Sequence, residues 1–286
     1  MHKTADLHIR DPFILPVAAE QKYYLYGTGQ PPGDTGFDTY RSSDLQSWEG
    51  PFPAFGKPDD FWGTHHFWAP EVHFYRGRYY MFASFKADDA CRGTQILAAD
   101  RPDGPFEPLT DGPITPRDWE CLDGTLFVDP YGTPWIVFCH EWLQVDDGEI
   151  CALPLSDDLK TAIDTPKLLF TATQAKWVIQ VAKDRKAYVT DGPFLHRTRA
   201  GDLLMLWSST SKNGYGTAFA RSKSGLITGP WIQDEETLDL KDAGHAMIFR
   251  TFEGQLMLTM HQPNTGSKER AVFLPLSETE NQLQLE

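Results

Sequence analysis

Five acidic or imidazole side chains recur at corresponding places in a repeated sequence pattern: Asp11, Glu71, Asp123, Asp191 and His245, spaced 52 to 68 positions apart. Each lies at the start of a short apolar run typical of a β-strand. Four carboxyl groups held close together raise one another's pKa values, so proteins rarely gather them without a chemical use. Two chemistries use such a cluster. One is glycoside hydrolysis, with one carboxyl group as acid and another as base or nucleophile; the other is binding of a hard cation such as Ca²⁺ or Mg²⁺.

The element that positions these residues is a unit repeated five times. It consists of a loop, a short apolar strand, a tight polar turn and an aromatic-rich strand, and its copies span 10–28, 68–85, 122–142, 190–209 and 243–262. A third strand follows each hairpin. Such a β-meander cannot bury both faces alone, whereas radial stacking of five of them can. We therefore predict an all-β, single-domain, five-bladed β-propeller over residues 1–286, with a β-sandwich as the alternative.

Composition agrees with this fold and excludes several functions. The 286 residues include 13% aromatics, 23 Gly and 21 Pro, which favour short strands and turns. The net charge of −14 makes nucleic acid and membrane surfaces poor partners. The four cysteines form no C-x-x-C pair and are predicted to be buried free thiols. The N-terminal segment lacks a secretory pattern, which predicts a cytoplasmic protein, or a secreted or periplasmic one if a signal peptide has been removed.

The convergence of the innermost strands on one axis predicts a pocket at one mouth of the propeller. Aromatic side chains near that mouth favour a sugar ligand, because their flat faces stack on sugar rings; the candidates are Trp68, Trp119, Trp142 and Trp177. No phosphate-binding loop, nucleophile elbow or dinucleotide fingerprint is present in the sequence. We expect no organic cofactor to be required.

The chain resembles glycoside hydrolase family 43 through five segments that occur in order at blade spacing: HIRDPFIL, FWAPEV, CLDGTLFVD, TDGPFL and AGHAMIF. This resemblance implies a five-bladed propeller that hydrolyses glycosides with inversion. It implies arabinofuranosides, xylosides and related glycosides of oligosaccharides or polysaccharide side chains as substrates. α-L-Arabinofuranosides are the leading substrates, followed by β-xylosides and β-galactofuranosides.

The resemblance also implies roles for the acidic residues. Asp11 falls on the family's water-activating base, and Asp123 falls on the aspartate that orients the general acid and adjusts its pKa. The family's acid is usually a glutamate in Glu-Gly-Pro, whereas this chain has Asp191-Gly192-Pro193. Aspartate is one methylene shorter, so Asp191 and Glu141 both remain candidates for the acid, with Glu120 a weaker third.

Further residues are predicted to bind substrate. Arg10 lies beside the predicted base, and Glu71 lies in Trp-Ala-Pro-Glu, where the family often has an aspartate. Arg250 and Gln262 lie on the predicted fifth blade, where their side chains are expected to face the pocket. His245 matches a family histidine that often holds a water or a cation, which makes a structural Ca²⁺ or other cation on the axis an expectation. Segments 29–37 and 57–66 are predicted to wall one side of the mouth, which favours exo-action.

Two other functions are compatible with the sequence. The Glu-to-Asp departure allows a degenerate propeller that binds carbohydrate without cleaving it. The fructosidase-type family 32 shares Arg-Asp-Pro and a Glu-Cys element, but its N-terminal Asn-Asp-Pro segment and C-terminal β-sandwich have no counterpart in this sequence.

Overall fold

The fold is a ring of five antiparallel β-sheets, as the sequence predicted. The computed structural model describes residues 1–29 and 35–286. The first blade contains β1 (His2–Lys3), β2 (Ile9–Val17), β3 (Lys22–Gly29), β4 (Gly36–Ser42) and β5 (Ser47–Gly56). The second contains β6 (His65–Tyr75), β7 (Arg78–Ala87), β8 (Ala90–Ala99) and β9 (Glu107–Pro108).

The remaining three blades have four strands each. The third contains β10 (Cys121–Val128), β11 (Pro134–His140), β12 (Glu149–Pro154) and β13 (Lys167–Thr171). The fourth contains β14 (Asp191–Arg197), β15 (Leu203–Ser211), β16 (Gly214–Ser222) and β17 (Trp231–Gln233). The fifth contains β18 (Gly244–Arg250), β19 (Leu256–Gln262), β20 (Arg270–Glu278) and β21 (Leu283–Leu285).

Helices are short in the described part of the chain. The α-helix α1 (Trp142–Val145) follows β11, and three 3₁₀ turns lie at Thr4–Asp6, Ala172–Gln174 and Gly266–Lys268. None of these helices is long and apolar enough to cross a bilayer. Three of the four free cysteines are buried, as predicted, while Cys91 is half-buried.

The innermost strands β2, β6, β10, β14 and β18 line the axis, and each contacts the next around the ring. Apolar side chains fill the space between neighbouring blades; Phe82 of the second blade, for example, lies in one buried cluster with Phe138 of the third. The ring closes where β18 of the last blade contacts β2 of the first. Strand β1 pairs with β5, so the first blade carries an N-terminal strand on its outer edge.

Segment 57–66, which we predicted to wall one side of the mouth, packs its aromatic side chains onto neighbouring blades. Phe61 and Trp62 pack against Phe85 at ring-centre distances of 4.9 and 6.3 Å. Trp62 also donates a hydrogen bond to Gln95 at 2.6 Å. The aromatic residues of this segment are therefore used to cover the first and second blades. Of the other predicted wall, residues 30–34 lie outside the described part of the chain.

Candidate active site

A cavity of about 640 Å³ lies at the end of the axis where the innermost strands begin. Eight residues predicted from the sequence line it: Arg10, Asp11, Trp68, Asp123, Glu141, Trp142, Asp191 and His245. The structure thus brings these eight residues together in one cavity. Trp68 and Trp142 are half-buried and offer aromatic surface to the cavity, whereas Trp119 stacks on His140 and Trp177 packs against Trp207.

Each innermost strand contains a β-bulge at the cavity, and the residue in the bulge has a left-handed backbone. These bulge residues are Asp11, Ala69, Asp123, Gly192 and His245, with φ between +46° and +56°. Such φ values are unfavourable for residues other than Gly, and they cluster at functional sites. The bulge interrupts the strand pairing, so two consecutive side chains are redirected near the axis.

The bulges define a register that differs from the one we inferred from the sequence. The residue before each bulge residue is Arg10, Trp68, Leu122, Asp191 or Gly244. Asp191 is therefore equivalent to Arg10 rather than to Asp11, and Glu71 lies two positions after Ala69. Only three bulge side chains are functional groups, namely Asp11, Asp123 and His245.

The charge environment keeps Asp11 ionised. Its Oδ1 lies 3.2 Å from His245 Nδ1 and 3.4 Å from Arg10 Nε, and its Oδ2 accepts a hydrogen bond from Thr28 at 2.8 Å. Burial alone would raise the pKa of Asp11, but His245 and Arg10 hold that pKa well below its usual range. An ionised carboxylate is the state that a general base needs.

His245 lies between two aspartates and is cationic. Its Nδ1 is 3.2 Å from Asp11 and 3.7 Å from Asp123 Oδ2. Burial lowers the pKa of His245, but Asp11 and Asp123 outweigh burial and raise it to about 10. The imidazolium therefore supplies a positive charge between these two aspartates.

Asp123 and Asp191 are neighbouring carboxyl groups of the cavity, and their protonation is linked. Asp123 Oδ2 accepts a hydrogen bond from the backbone N–H of Gly192 at 3.0 Å, which connects it to the residue after Asp191. Burial, with the charge of Asp191, raises the pKa of Asp123 to about 7. Burial also raises the pKa of Asp191, although His245, Arg10 and the hydroxyl of Tyr215 oppose it. Such a pair can retain a proton near neutral pH.

Glu141 lines the same cavity from the end of the third blade's second strand. Arg92, which is buried, makes an ion pair with it and lies 4.4 Å from the ring centre of Trp68. Burial raises the pKa of Glu141 to about 7 against the charge of Arg92. Glu120 lies outside the cavity lining and is ion-paired with Lys86 at 2.6 Å, which lowers its pKa against burial.

Three predicted substrate-binding residues lie elsewhere. Glu71 is buried outside the cavity lining, 3.1 Å from His73. Arg250 ends β18, so it lies at the opposite end of the axis, beside a second cavity of about 420 Å³, and pairs with Glu278. Gln262 donates to the carbonyl of Lys241, because the alternation of the strand turns its neighbour His261 inward instead.

Other residues at the site were not predicted. Arg10 donates hydrogen bonds to Asn264 and Glu269, and Glu269 also pairs with His8 at 2.9 Å. Tyr215 stacks on His261 with ring centres 5.5 Å apart. Asn264, Glu269 and Tyr215 come from loops or an outer strand, where a single sequence carries no repeat signal. Thr28 and His261 lie instead near the end of a blade's second strand, a position that the repeat could have identified.

The structure offers no ready-made metal site near His245. Within residues 1–29 and 35–286, no group of three or more His, Cys, Asp or Glu side chains is placed to hold a metal ion. The protonated His245 occupies the region between Asp11 and Asp123 where a cation would be neutralised. A cation bound near His245 stays a prediction.

Gly192 is required by the packing of the site, and we expect Gly192→Ala to disable it. A Cβ at this position would lie 2.9 Å from Cγ of His245. The imidazole would have to move from its place between the two aspartates, and misplacement by about 1 Å costs on the order of 10²-fold in rate. We expect kcat of the reaction at this site to fall by about that factor.

The matched control for this prediction is Gly132→Ala. Gly132 also has a positive φ, +89°, but a Cβ there would meet nothing within 4 Å. This variant should lose only stability, about 1–2 kcal/mol for the left-handed backbone. Equal kcat in the two variants would contradict the role of Gly192.

Comparison with known proteins identifies the relatives of this chain. The family model described as glycosyl hydrolases family 43 matches residues 5–275. The crystal structure of an endo-arabinase from Bacteroides thetaiotaomicron VPI-5482 is 43% identical, covers 98% of both chains and has a TM-score of 0.93. An extracellular exo-α-(1→5)-L-arabinofuranosidase of Cellvibrio japonicus is 25% identical over 87% of this chain and 72% of its own length. An extracellular endo-α-(1→5)-L-arabinanase of Bacillus subtilis is 24% identical over 78% of this chain and 67% of its own length.

Proposed function

Because this chain belongs to glycosyl hydrolase family 43, a family of inverting glycoside hydrolases, we propose that it cleaves α-L-arabinofuranosidic linkages at the end of an oligosaccharide or polysaccharide side chain. The observation that carries this proposal is the convergence of Asp11, Asp123 and Asp191 around His245 in one cavity. The arabinan-degrading names of the relatives support arabinose as the sugar.

The proposed mechanism is a single displacement. Asp11, kept ionised by His245 and Arg10, takes a proton from the water that attacks the anomeric carbon, and its negative charge stabilises the oxocarbenium-like transition state. Asp191 protonates the leaving oxygen. Asp123 repels the negative form of Asp191 and, through the N–H of Gly192, fixes the backbone that carries it.

Glu141 is the alternative acid, and Asp191 is favoured for two reasons. Asp191 stands in Asp-Gly-Pro, at the place of the acid in the family's Glu-Gly-Pro segment. The N–H of Gly192 joins Asp191 to Asp123, and the two carboxyl groups are close enough for the charge of Asp191 to raise the pKa of Asp123. We assign Glu141, with Trp68 and Trp142, to binding the sugar.

Terminal cleavage is supported by the walls of the cavity. Trp142 of α1 lines the cavity from the third blade, and Gly266 and Ser267 of a 3₁₀ turn line it from the fifth. Internal cleavage is the competing mode, because a 43% identical relative is called an endo-arabinase.

Product analysis tests both the sugar and the mode. Aryl α-L-arabinofuranoside, β-xyloside and β-galactofuranoside should be compared, with Asp11→Ala as the inactive control. We expect turnover of the arabinofuranoside, and free arabinose as the first product from α-(1→5)-linked arabino-oligosaccharides. Shorter oligosaccharides as first products would overturn exo-action, and turnover of only another glycoside would overturn the choice of sugar.

A further inference from the structure

A recurring hydrogen bond joins each blade to the next at the cavity. The residue that pairs with the one before each bulge lies on the second strand of the blade; we call these latch residues, and they are Thr28, Ser84, Cys139, Ser208 and His261. At four junctions the latch side chain accepts the backbone N–H of the next blade's bulge residue, at 2.8 to 3.2 Å.

The junction between the third and fourth blades is the exception. Its latch residue is Cys139, and the N–H of Gly192 instead donates to Asp123 Oδ2 at 3.0 Å. A thiol is a weak acceptor compared with a hydroxyl or an imidazole nitrogen. Cys139 is fully buried, and burial raises the pKa of its thiol well above the ordinary value, so the thiol is neutral.

The first blade shows what a hydroxyl does in the same position. Thr28 accepts the N–H of Ala69 and donates its own proton to Asp11 Oδ2, at 2.8 Å each. The hydroxyl therefore stands between the carboxylate and the next blade. In the third blade no such group intervenes, and the carboxylate of Asp123 holds the next blade directly.

We propose that Cys139 is a positioning residue for hydrolysis: because its thiol does not capture the N–H of Gly192, that N–H binds Asp123, and Asp191 is held against Asp123. The proposal rests on the roles given above to Asp123 and Asp191. Cys139 acts through the backbone and contacts no substrate.

Two substitutions at position 139 distinguish this role from simple packing. Cys139→Ser supplies the hydroxyl found at the other junctions, while Cys139→Ala supplies no acceptor. We expect Cys139→Ser to lower kcat about 10-fold or more with little change in KM, since misplaced reacting groups cost up to about 10²-fold. Cys139→Ala should keep kcat within about threefold, despite the cavity it creates. Packing alone predicts the opposite order, because serine is closer to cysteine in size.

The matched control is Cys151→Ser, the same change at another buried thiol of the third blade. It should leave kcat unchanged. A kcat for Cys139→Ser equal to that of Cys151→Ser, or lower activity of Cys139→Ala than of Cys139→Ser, would overturn the proposal.

A second measurement does not depend on activity. Labelling aspartate carbonyls with ¹³C and glycine with ¹⁵N restricts the NMR spectrum to five Asp-Gly pairs, and Asp191→Asn identifies the signal of Gly192 by its loss. In the native protein the Gly192 amide should shift as Asp123, whose pKa burial raises to about 7, titrates. In Cys139→Ser the part of this shift that comes from the hydrogen bond to Asp123 should be lost, so the shift should be markedly smaller, the remainder coming from the neighbouring Asp191.

The two measurements separate the possible failures. An unchanged Gly192 titration in Cys139→Ser overturns the role of Cys139, whatever the enzyme cleaves. A markedly smaller titration with unchanged kcat would show the change of hydrogen bond but overturn its role in hydrolysis, and with it the assignment of Asp191 as the acid.

Discussion

Replacing Asp11 by asparagine should abolish most of the hydrolysis while leaving the propeller folded. Asparagine has the shape of aspartate but cannot accept the proton of the attacking water. General bases contribute about 10² to 10⁴ to enzyme rates, and we expect kcat to fall within that range. Steady-state rates on an arabinofuranoside, together with the thermal midpoint of the variant, measure the two effects separately.

The control for this variant is Asp100→Asn, which makes the same change at an exposed aspartate paired with Arg78. Its kcat should equal that of the native protein. If Asp11→Asn retained more than about a tenth of the native kcat, well above the loss expected for a general base, then Asp11 would not be the base.

Replacing each of the two candidate acids by its amide, in separate variants, should identify the proton donor. A general acid is needed only when the leaving group is a poor one, so Asp191→Asn should lose about 10²- to 10⁴-fold on an arabino-oligosaccharide. On a dinitrophenyl arabinofuranoside, whose leaving group departs without a proton, it should lose much less. Glu141→Gln should lose a similar factor on both substrates, because a group that binds the sugar serves both.

The reverse pattern would make Glu141 the acid.

The pH dependence of hydrolysis gives a further check, since the acid must be protonated and the base ionised. Burial raises the pKa of Asp191, and His245 and Arg10 lower that of Asp11. Therefore kcat/KM should fall as pH rises through the raised pKa of Asp191 and persist on the acidic side. Asp191→Asn should lose that alkaline limb on the oligosaccharide.

The five-bladed fold could be predicted from the sequence because each blade repeats its hairpin signal. Turns such as YRGR and FEGQ separate apolar runs at a fixed place in every unit, and the structure forms hairpins there. The positions of Asp11, Asp123 and His245 at the cavity follow from the repeat, because each is itself the bulge residue of its strand.

The register in the second and fourth blades could not be predicted in this way. There the left-handed position is taken by Ala69 and Gly192, which carry no functional side chain, so the nearest acidic residues, Glu71 and Asp191, were aligned in their place. Glu71 consequently lies outside the cavity lining, whereas Asp191 still reaches the cavity because it is equivalent to Arg10.

The partners of these residues depend on contacts between distant parts of the chain. Arg92 pairs with Glu141 across 49 positions, and Arg10 with Glu269 across 259. Neither pair has a local signature, since the contact arises only when neighbouring blades stack. Gln262 was predicted in place of His261 because the alternation along β19 could not be fixed without the bulge.

The closure of the ring between β18 and β2 gives the activity a temporal order during synthesis. Asp11 is translated at the beginning, but its backbone N–H binds His261, 250 residues later. At about 5–20 residues per second, a ribosome needs roughly 10 to 50 s to make that interval. Until then the carboxylate lacks the imidazolium of His245, so a nascent chain has no working hydrolytic centre, and the emergence of the last blade switches the enzyme on.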